Sequence, residues 1–198
     1  MNARFFQSVR AANQGRSDSA KLRVLLGDPP IDFSRIQNER QLDFWILQRD
    51  IHFAYIVQRE VLSRGRKALI VAGTGHVIRR PGVPTLSGLI EGCVACVPDP
   101  AAVGAGVNWC DDLSSYEPAS TFVIILHEGF TEQPDLQRRL SSWELPSLAS
   151  LNGSWLGAPD TTAVFADPVV VGPPDERAAP RRADILEEIA DAYLVFSR

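Results

Sequence analysis

Short runs of aliphatic residues alternate along this chain with polar and helix-forming stretches. Three clear runs lie at residues 22–26, 68–72 and 122–127, and a shorter one lies at 193–196. Continuous leucine and β-branched runs bounded by glycine or proline are typical of strands buried on both faces, as in parallel sheets. The pattern predicts an α/β fold with a mainly parallel sheet of four to six strands and helices on both faces.

One long helix is predicted between the first two runs, from residue 39 to residue 64. Asn38 followed by Gln41 resembles a capping box, and Gly65 fits the position just after the last helical turn. The helix would connect strands 22–26 and 68–72 as one β-helix-β unit. Shorter helices are expected at residues 2–13, 134–142 and 184–190.

The remaining segments carry weaker patterns within one domain that spans residues 1–198. Residues 92–97 are expected to form a short strand. Residues 98–120 and 157–182 are rich in proline and small residues, and they are interpreted as irregular excursions.

Composition narrows the class of protein. The chain has 198 residues, of which 45% are apolar, and its net charge of −4 gives no electrostatic footprint for nucleic acid. It contains no apolar run of 18 residues, so no membrane span is expected. Three cysteines form an odd set, which argues against a disulfide framework. Free buried thiols are favoured over a zinc site, and the expected location is the cytoplasm.

Several chemically active side chains follow the predicted strands. Asp28, His76, His127 and Glu128 each come directly after or shortly after such a run. Ligands bind parallel sheets beyond the carboxyl ends of the strands, so these residues are candidates for one site. Only one of His127 and Glu128 is expected to face the cleft, because neighbouring strand residues point to opposite faces.

Glycines and charges supply the other candidate positions. Gly73 and Gly75 precede His76 and would let the backbone approach a ligand or take a positive φ. Arg49 and Asp50 interrupt an otherwise apolar helix, where charges are rare unless they are paired or face a polar cleft. They are either a structural ion pair or ligand-orienting residues. His52 is interpreted as a surface histidine.

The combination of these motifs resembles a known superfamily. Arg49-Asp50 on a long helix followed by KALIVAGTGHV is similar to the ChaN-like, TraB/Tiki and erythromycin-esterase-like proteins. GDPPIDF at residues 27–33 and DAYL at 191–194 resemble an uncharacterised bacterial branch of them. The likeness covers residues 4–80 and, more loosely, 121–198.

The resemblance implies a cleft used for metal-dependent hydrolysis, ester hydrolysis or haem binding, and it carries over Gly73, His76 and Arg49. Those families open with an additional strand that bears a glutamate and a histidine of the site. No such segment is present in this sequence, which suggests either a truncated gene product or a shortened homologue.

The first functional hypothesis is a hydrolase acting on a small molecule. His76 would be the base or the ligand of a divalent metal, Asp28 and Glu128 or His127 would assist, and Arg49 would stabilise negative charge. Gly73, Gly75 and Asp50 would help to bind the substrate. The alternatives are a non-catalytic protein that binds haem through His76 or Tyr55, or another small ligand, and an inactive homologue.

The missing strand also leads to an expectation about assembly. A sheet that lacks one strand exposes unpaired backbone groups and an apolar face. The N-terminal helix, with Phe5, Phe6 and Val9 on one side, could cover that edge, and a second copy of the chain is the other candidate. A homodimer or a poorly soluble monomer is therefore expected.

Overall fold

The structure of the protein is a computed structural model. It describes residues 2–80, 83–94, 96, 109–126, 134–158 and 185–195. Its strands are β1 (Ile124–Leu126), β2 (Ser147–Ser150) and β3 (Ala192–Val195). Its α-helices are α1 (Asn2–Ala12), α2 (Glu39–Glu60), α3 (Thr74–Val77), α4 (Leu86–Ile90), α5 (Trp109–Ser114), α6 (Pro134–Leu140) and α7 (Leu186–Ile189). Short 3-10 turns lie at Asp18–Ala20, Phe33–Arg35 and Leu62–Arg64.

The long helix forms where the capping residues predict it. The Asn38 side chain accepts a hydrogen bond from the Gln41 amide at 3.0 Å, and the Gln41 side chain accepts one from the Gln37 amide at 2.7 Å. These bonds satisfy amide groups near the start of α2 that have no partner within the helix. After a 3-10 turn the chain turns away at Gly65, which has φ +64 and so a left-handed conformation that glycine adopts easily.

The sheet has three strands in the order β1-β3-β2. β3 runs parallel to β1, with Ile125 opposite Tyr193, and antiparallel to β2, with Ala149 opposite Tyr193. Tyr193 is fully buried, as expected for the central strand. The predicted sheet of four to six mainly parallel strands is therefore wrong: the sheet is mixed and smaller.

The error comes from residues 22–26 and 68–72, which were predicted as strands of that sheet. Both segments lie outside helices and strands, and neither is hydrogen-bonded to a strand among the described residues. An apolar run predicts an extended backbone and burial, whereas a strand also needs a neighbour that supplies its hydrogen bonds. The run of residues alone does not show that such a neighbour exists.

These two segments leave aliphatic side chains in solvent. Leu69 is 91% exposed, Val71 81% and Leu26 79%. Helix α1 does not cover them with its aromatic side, because Phe5 and Phe6 are themselves about half exposed and stack on each other at 5.5 Å. The aromatic side of α1 is thus itself partly open to solvent, and coverage of an open edge by α1 or by a second copy stays a prediction.

The predicted elements in the second half of the chain have mixed outcomes. Helices α6 and α7 and strand β3 confirm the predictions for residues 134–142, 184–190 and 193–196. Helix α5 lies inside the segment 98–120 that was expected to be irregular throughout. The described residues of 92–97 form no strand. Most of the excursion at 157–182 lies outside the described residues.

Two groups of buried side chains form the core. The sheet cluster surrounds Tyr193, and the helical cluster lies between α2, α4 and α5 around Ala54 and Leu86. Val77 packs against both clusters. Helix α3, which contains Val77, is therefore held between them, and this fixes the backbone that carries His76.

A guanidinium group connects the same segment to the sheet. Arg79 donates to both carboxylate oxygens of Glu91 at 3.0 Å, to Asp191 Oδ2 at 2.9 Å and to the Thr121 carbonyl at 3.0 Å. Asp191 also accepts the Val123 amide at 2.7 Å. Burial alone would raise the pKa of Glu91, but hydrogen bonds from Arg79 and Thr121 outweigh it and lower that pKa. The network joins the chain after α3, the end of α4 and the starts of two strands.

The cysteines differ from their expected state. Cys96 and Cys110 form a disulfide, and Cys93 is free and exposed. The prediction of free buried thiols is therefore wrong, because an odd number of cysteines still permits one pair. The expected cytoplasmic location depended on reduced thiols, and the pairing removes that support.

Within the described ranges, no helix has both the length and the apolar character needed to cross a membrane.

Replacing Arg79 by Met should lower the free energy of unfolding by about 2–4 kcal/mol, because Glu91 and Asp191 would keep their charges in a partly buried site without a cation beside them. Urea unfolding followed by tryptophan fluorescence measures this. Arg138→Met is the matched control, since the Arg138–Asp135 pair is exposed and should contribute less than about 1 kcal/mol. Equal losses in the two variants would contradict a role for the network.

Candidate functional site

The candidate residues meet where three segments approach one another. These are the turn at residues 27–30, the middle of α2 and the loop that enters α3. The turn contributes Asp28, the helix contributes Arg49 and Asp50, and α3 contributes His76. The charged pair inside the apolar helix thus faces two of the residues that were predicted from the ends of the aliphatic runs.

The closest contact in the site joins His76 to Asp50. The Nδ1 atom of His76 lies 2.5 Å from Asp50 Oδ1, and the two side chains are only 29% and 16% exposed. With Asp50 ionised, Nδ1 donates its proton to the carboxylate, so the neutral form of the ring has its lone pair on Nε2. Burial raises the pKa of Asp50, and the neighbouring charges of His76 and Arg49 oppose that rise. The pair is a histidine whose tautomer and orientation are set by a carboxylate.

An aromatic ring separates this pair from the second charged pair. The Phe53 ring lies edge-to-face with His76, with centroids 6.2 Å apart and planes at 86°. The guanidinium carbon of Arg49 lies 5.8 Å from the centre of the same ring. His76 and Arg49 therefore flank one apolar surface, which could contact the carbon skeleton of a small ligand.

Arg49 also binds the turn that precedes α2. Its Nε atom donates to Asp28 Oδ1 at 2.8 Å, and Asp28 is largely exposed. An exposed pair of this kind adds little stability, about 0–1 kcal/mol. Each of the two helix charges is thus paired with a residue from another segment, Arg49 with Asp28 and Asp50 with His76. Both partners nevertheless belong to the candidate site, so a role in orienting ligands stays a prediction.

His52 is not the surface residue that was expected, since only 8% of it is exposed. Its Nδ1 atom lies 2.7 Å from the Gly27 carbonyl oxygen and must donate to it, because a carbonyl can only accept. The Trp109 ring packs against the imidazole at a centroid distance of 4.4 Å. Burial lowers the pKa of His52, so the ring is neutral at pH 7 and fastens the turn to α2.

Only glycine fits at residue 27, because this contact leaves no room for a side chain. A Cβ atom built on Gly27 would lie 2.0 Å from Cδ1 of Phe53, far inside any normal contact distance. The turn can therefore approach α2 only because residue 27 has no side chain. Gly73 and Gly75, by contrast, do not have positive φ, so the left-handed explanation for them is wrong.

Sequence reasoning identified part of this arrangement. The structure brings together Asp28, Arg49, Asp50 and His76, and Gly73 lies three residues before His76 as the N-cap residue of α3. His127 and Glu128 lie outside the described residues. The sequence prediction missed Gly27, His52 and Phe53. A usable signal was present for Phe53, because residues four apart on a helix are neighbours and Arg49 precedes it by four.

The donor set does not fit a metal ion in the part of the chain that the structure describes. No group of three or more histidine, cysteine or carboxylate side chains gathers there. His76 already uses Nδ1 for Asp50, and Asp28 is bound to Arg49. No step of a reaction is therefore assigned to a metal.

Comparisons of the chain with protein-family models, with curated proteins and with solved structures found no match. Any function must therefore be proposed from the side chains themselves.

His52 makes folding sensitive to mild acid. A histidine whose pKa is lowered in the folded state stabilises the fold above its ordinary pKa of about 6.5, and this stability is lost as the pH falls. The melting temperature should therefore drop between about pH 7.5 and about pH 5.5. In His52→Gln, whose amide can donate to Gly27 but does not titrate, the drop should be smaller. An unchanged pH dependence in the variant would show that other groups cause it.

Proposed function

We propose that the protein is a hydrolase for a small ester or amide, with His76 as the general base. The observation that carries this proposal is the 2.5 Å contact between His76 Nδ1 and Asp50. A carboxylate on Nδ1 leaves Nε2 as the basic atom and stabilises the imidazolium that forms when Nε2 takes a proton. Ester hydrolysis is also one of the three uses of a cleft that the resemblance to the ChaN-like, TraB/Tiki and erythromycin-esterase-like proteins implies, beside metal-dependent hydrolysis and haem binding.

The proposed reaction uses water as the nucleophile. Nε2 of His76 removes a proton from a water molecule as the oxygen attacks the substrate carbonyl, and the carbonyl oxygen becomes negatively charged. His76 then returns the proton to the departing alkoxide or amine. Asp50 does not exchange protons in this scheme and keeps the imidazole in one orientation.

Arg49 is proposed to stabilise the negative charge of the intermediate. Its Nε atom is used by Asp28, and the remaining N–H groups of the guanidinium are the donors for the carbonyl oxygen. The Phe53 ring between Arg49 and His76 would contact the acyl part of the substrate. The site therefore favours an uncharged or anionic ester of modest size.

Asp50→Asn and His76→Ala test the proposal with a series of nitrophenyl esters. Loss of a general base lowers turnover by about 10²- to 10⁴-fold, and we expect both variants to fall in that range. Activity should also fall on the acid side, because burial raises the pKa of Asp50 and its carboxylate is protonated at a higher pH than usual.

Asp135→Asn is the matched control, because Asp135 lies in an exposed ion pair on α6. It should retain full activity, and all three variants should still unfold cooperatively. Equal turnover in the wild type and both site variants would rule out the proposed base. A Soret band that appears on haem titration and disappears in His76→Ala would instead favour the haem-binding alternative.

We also propose that two copies of the chain associate through the exposed segments 22–26 and 66–72. The supporting observation is that Leu26, Leu69 and Val71 are each about four-fifths exposed or more. Large aliphatic side chains that are exposed together are typical of association surfaces, and a stable interface buries about 1,000 Å² or more.

Light scattering should therefore detect a dimer in solution. The double variant Leu69→Lys/Val71→Lys should shift it to a monomer, because two charges cannot be buried in the interface without partners. Leu148→Lys, at an exposed leucine of strand β2 outside both segments, serves as the control and should leave the dimer intact. A monomeric wild-type protein at high concentration would overturn the proposal.

A further inference from the structure

The three cysteines lie in an arrangement that permits exchange of the disulfide. Cys96 is bonded to Cys110, and Cys93, three residues before Cys96, keeps a free thiol. Cys-x-x-Cys spacing allows a disulfide between its own two cysteines, as in the disulfide oxidoreductases. Cys96 therefore has two alternative partners within one chain.

The surroundings of the three sulfur atoms differ in a way that sets the direction of attack. Cys93 is exposed, and its backbone is positioned by a hydrogen bond from its amide to the Gly88 carbonyl at 3.0 Å. Cys110 is only 5% exposed and belongs to the helical core cluster. Cys96 is partly buried. Of the two bonded cysteines, Cys96 is thus the less buried and the more open to attack by a thiolate at position 93.

We propose that Cys93, Cys96 and Cys110 form a thiol–disulfide exchange centre. The Cys93 thiolate attacks Cys96 Sγ, a Cys93–Cys96 bond forms, and the Cys96–Cys110 bond breaks. Cys110 leaves as a thiolate and takes up a proton in place of the one that Cys93 lost. The step is an isomerisation and needs neither an oxidant nor a reductant.

The exchange changes which parts of the chain the disulfide joins. The Cys96–Cys110 bond joins residues 14 apart in the sequence and attaches α5 to the segment after α4. Helix α5 packs along α2, where Trp109 contacts His52, which in turn holds Gly27. Transfer of the disulfide to Cys93 releases α5 from this attachment, so the position of the disulfide affects the helix whose Trp109 contacts His52 beside the site.

Disulfide mapping tests the centre without any assay of hydrolysis. The full-length protein is equilibrated in glutathione buffers of stepwise ratio at mildly alkaline pH, quenched with an alkylating reagent and cleaved before Asp99 and after Trp109. These cuts separate the fragment with Cys93 and Cys96 from the fragment with Cys110. We expect two species: a 96–110 cross-link with alkylated Cys93, and an internal 93–96 disulfide with alkylated Cys110.

Two variants make the result decisive. Cys93→Ser should show the 96–110 cross-link alone, and release of Cys110 should become at least about ten-fold slower, since a tethered thiol reacts at a far higher effective concentration than a dissolved one. Cys110→Ser should form the 93–96 disulfide. The proposal is overturned if the 93–96 bond appears in neither the wild type nor Cys110→Ser. It is also overturned if Cys93→Ser releases Cys110 as fast as the wild type does.

Discussion

The hydrogen bonds of Arg79 are the constraint on which most of this structure depends. One guanidinium group holds Glu91, Thr121 and Asp191, which come from three separate parts of the chain. The backbone amide of Arg79 also donates to the Ile189 carbonyl at 2.9 Å. A planar group with five donors suits this role better than an ammonium group, because several acceptors can be bound in one plane. The sheet and the helices are thus joined through polar contacts as well as through Val77.

The same attachment determines where His76 can lie. Helix α3 has only four residues, and so it has little stability of its own. It is held in place between the two core clusters and by the hydrogen bonds of Arg79, which follows it in the chain. The imidazole then meets Asp50, whose position is set by a helix of 22 residues. The short helix α3 and the long helix α2 together produce the only close carboxylate–histidine contact among the described side chains.

The predictions from sequence succeeded where the determining interactions are local. Asn38, Gln41 and Gly65 predict the limits of the long helix because caps act over a few residues. The strands at 22–26 and 68–72 could not be judged in this way, because pairing depends on residues far away in the sequence. The disulfide could not be predicted either, because the pairing of cysteines also depends on contacts that no local pattern contains.

The candidate site was likewise predictable only where local patterns determine it. The unusual placement of Arg49 and Asp50 in an apolar helix indicated that both charges needed partners, and the structure supplies Asp28 and His76. The identity of each partner depends on the path of the turn and of α3, which no local pattern contains. Buried His52 illustrates the limit most clearly: its partner is a backbone carbonyl, which leaves no trace in the residue types.

The contact between Gly27 and Phe53 has a consequence for natural and engineered variation. Any side chain at residue 27 must displace the Phe53 ring, and that ring is in edge-to-face contact with His76. A substitution at residue 27 would therefore disturb the histidine through an intermediate that carries no charge and takes part in no proton transfer. In a mutational scan this position would be as intolerant as the proposed base, although the two lie 49 positions apart in the chain.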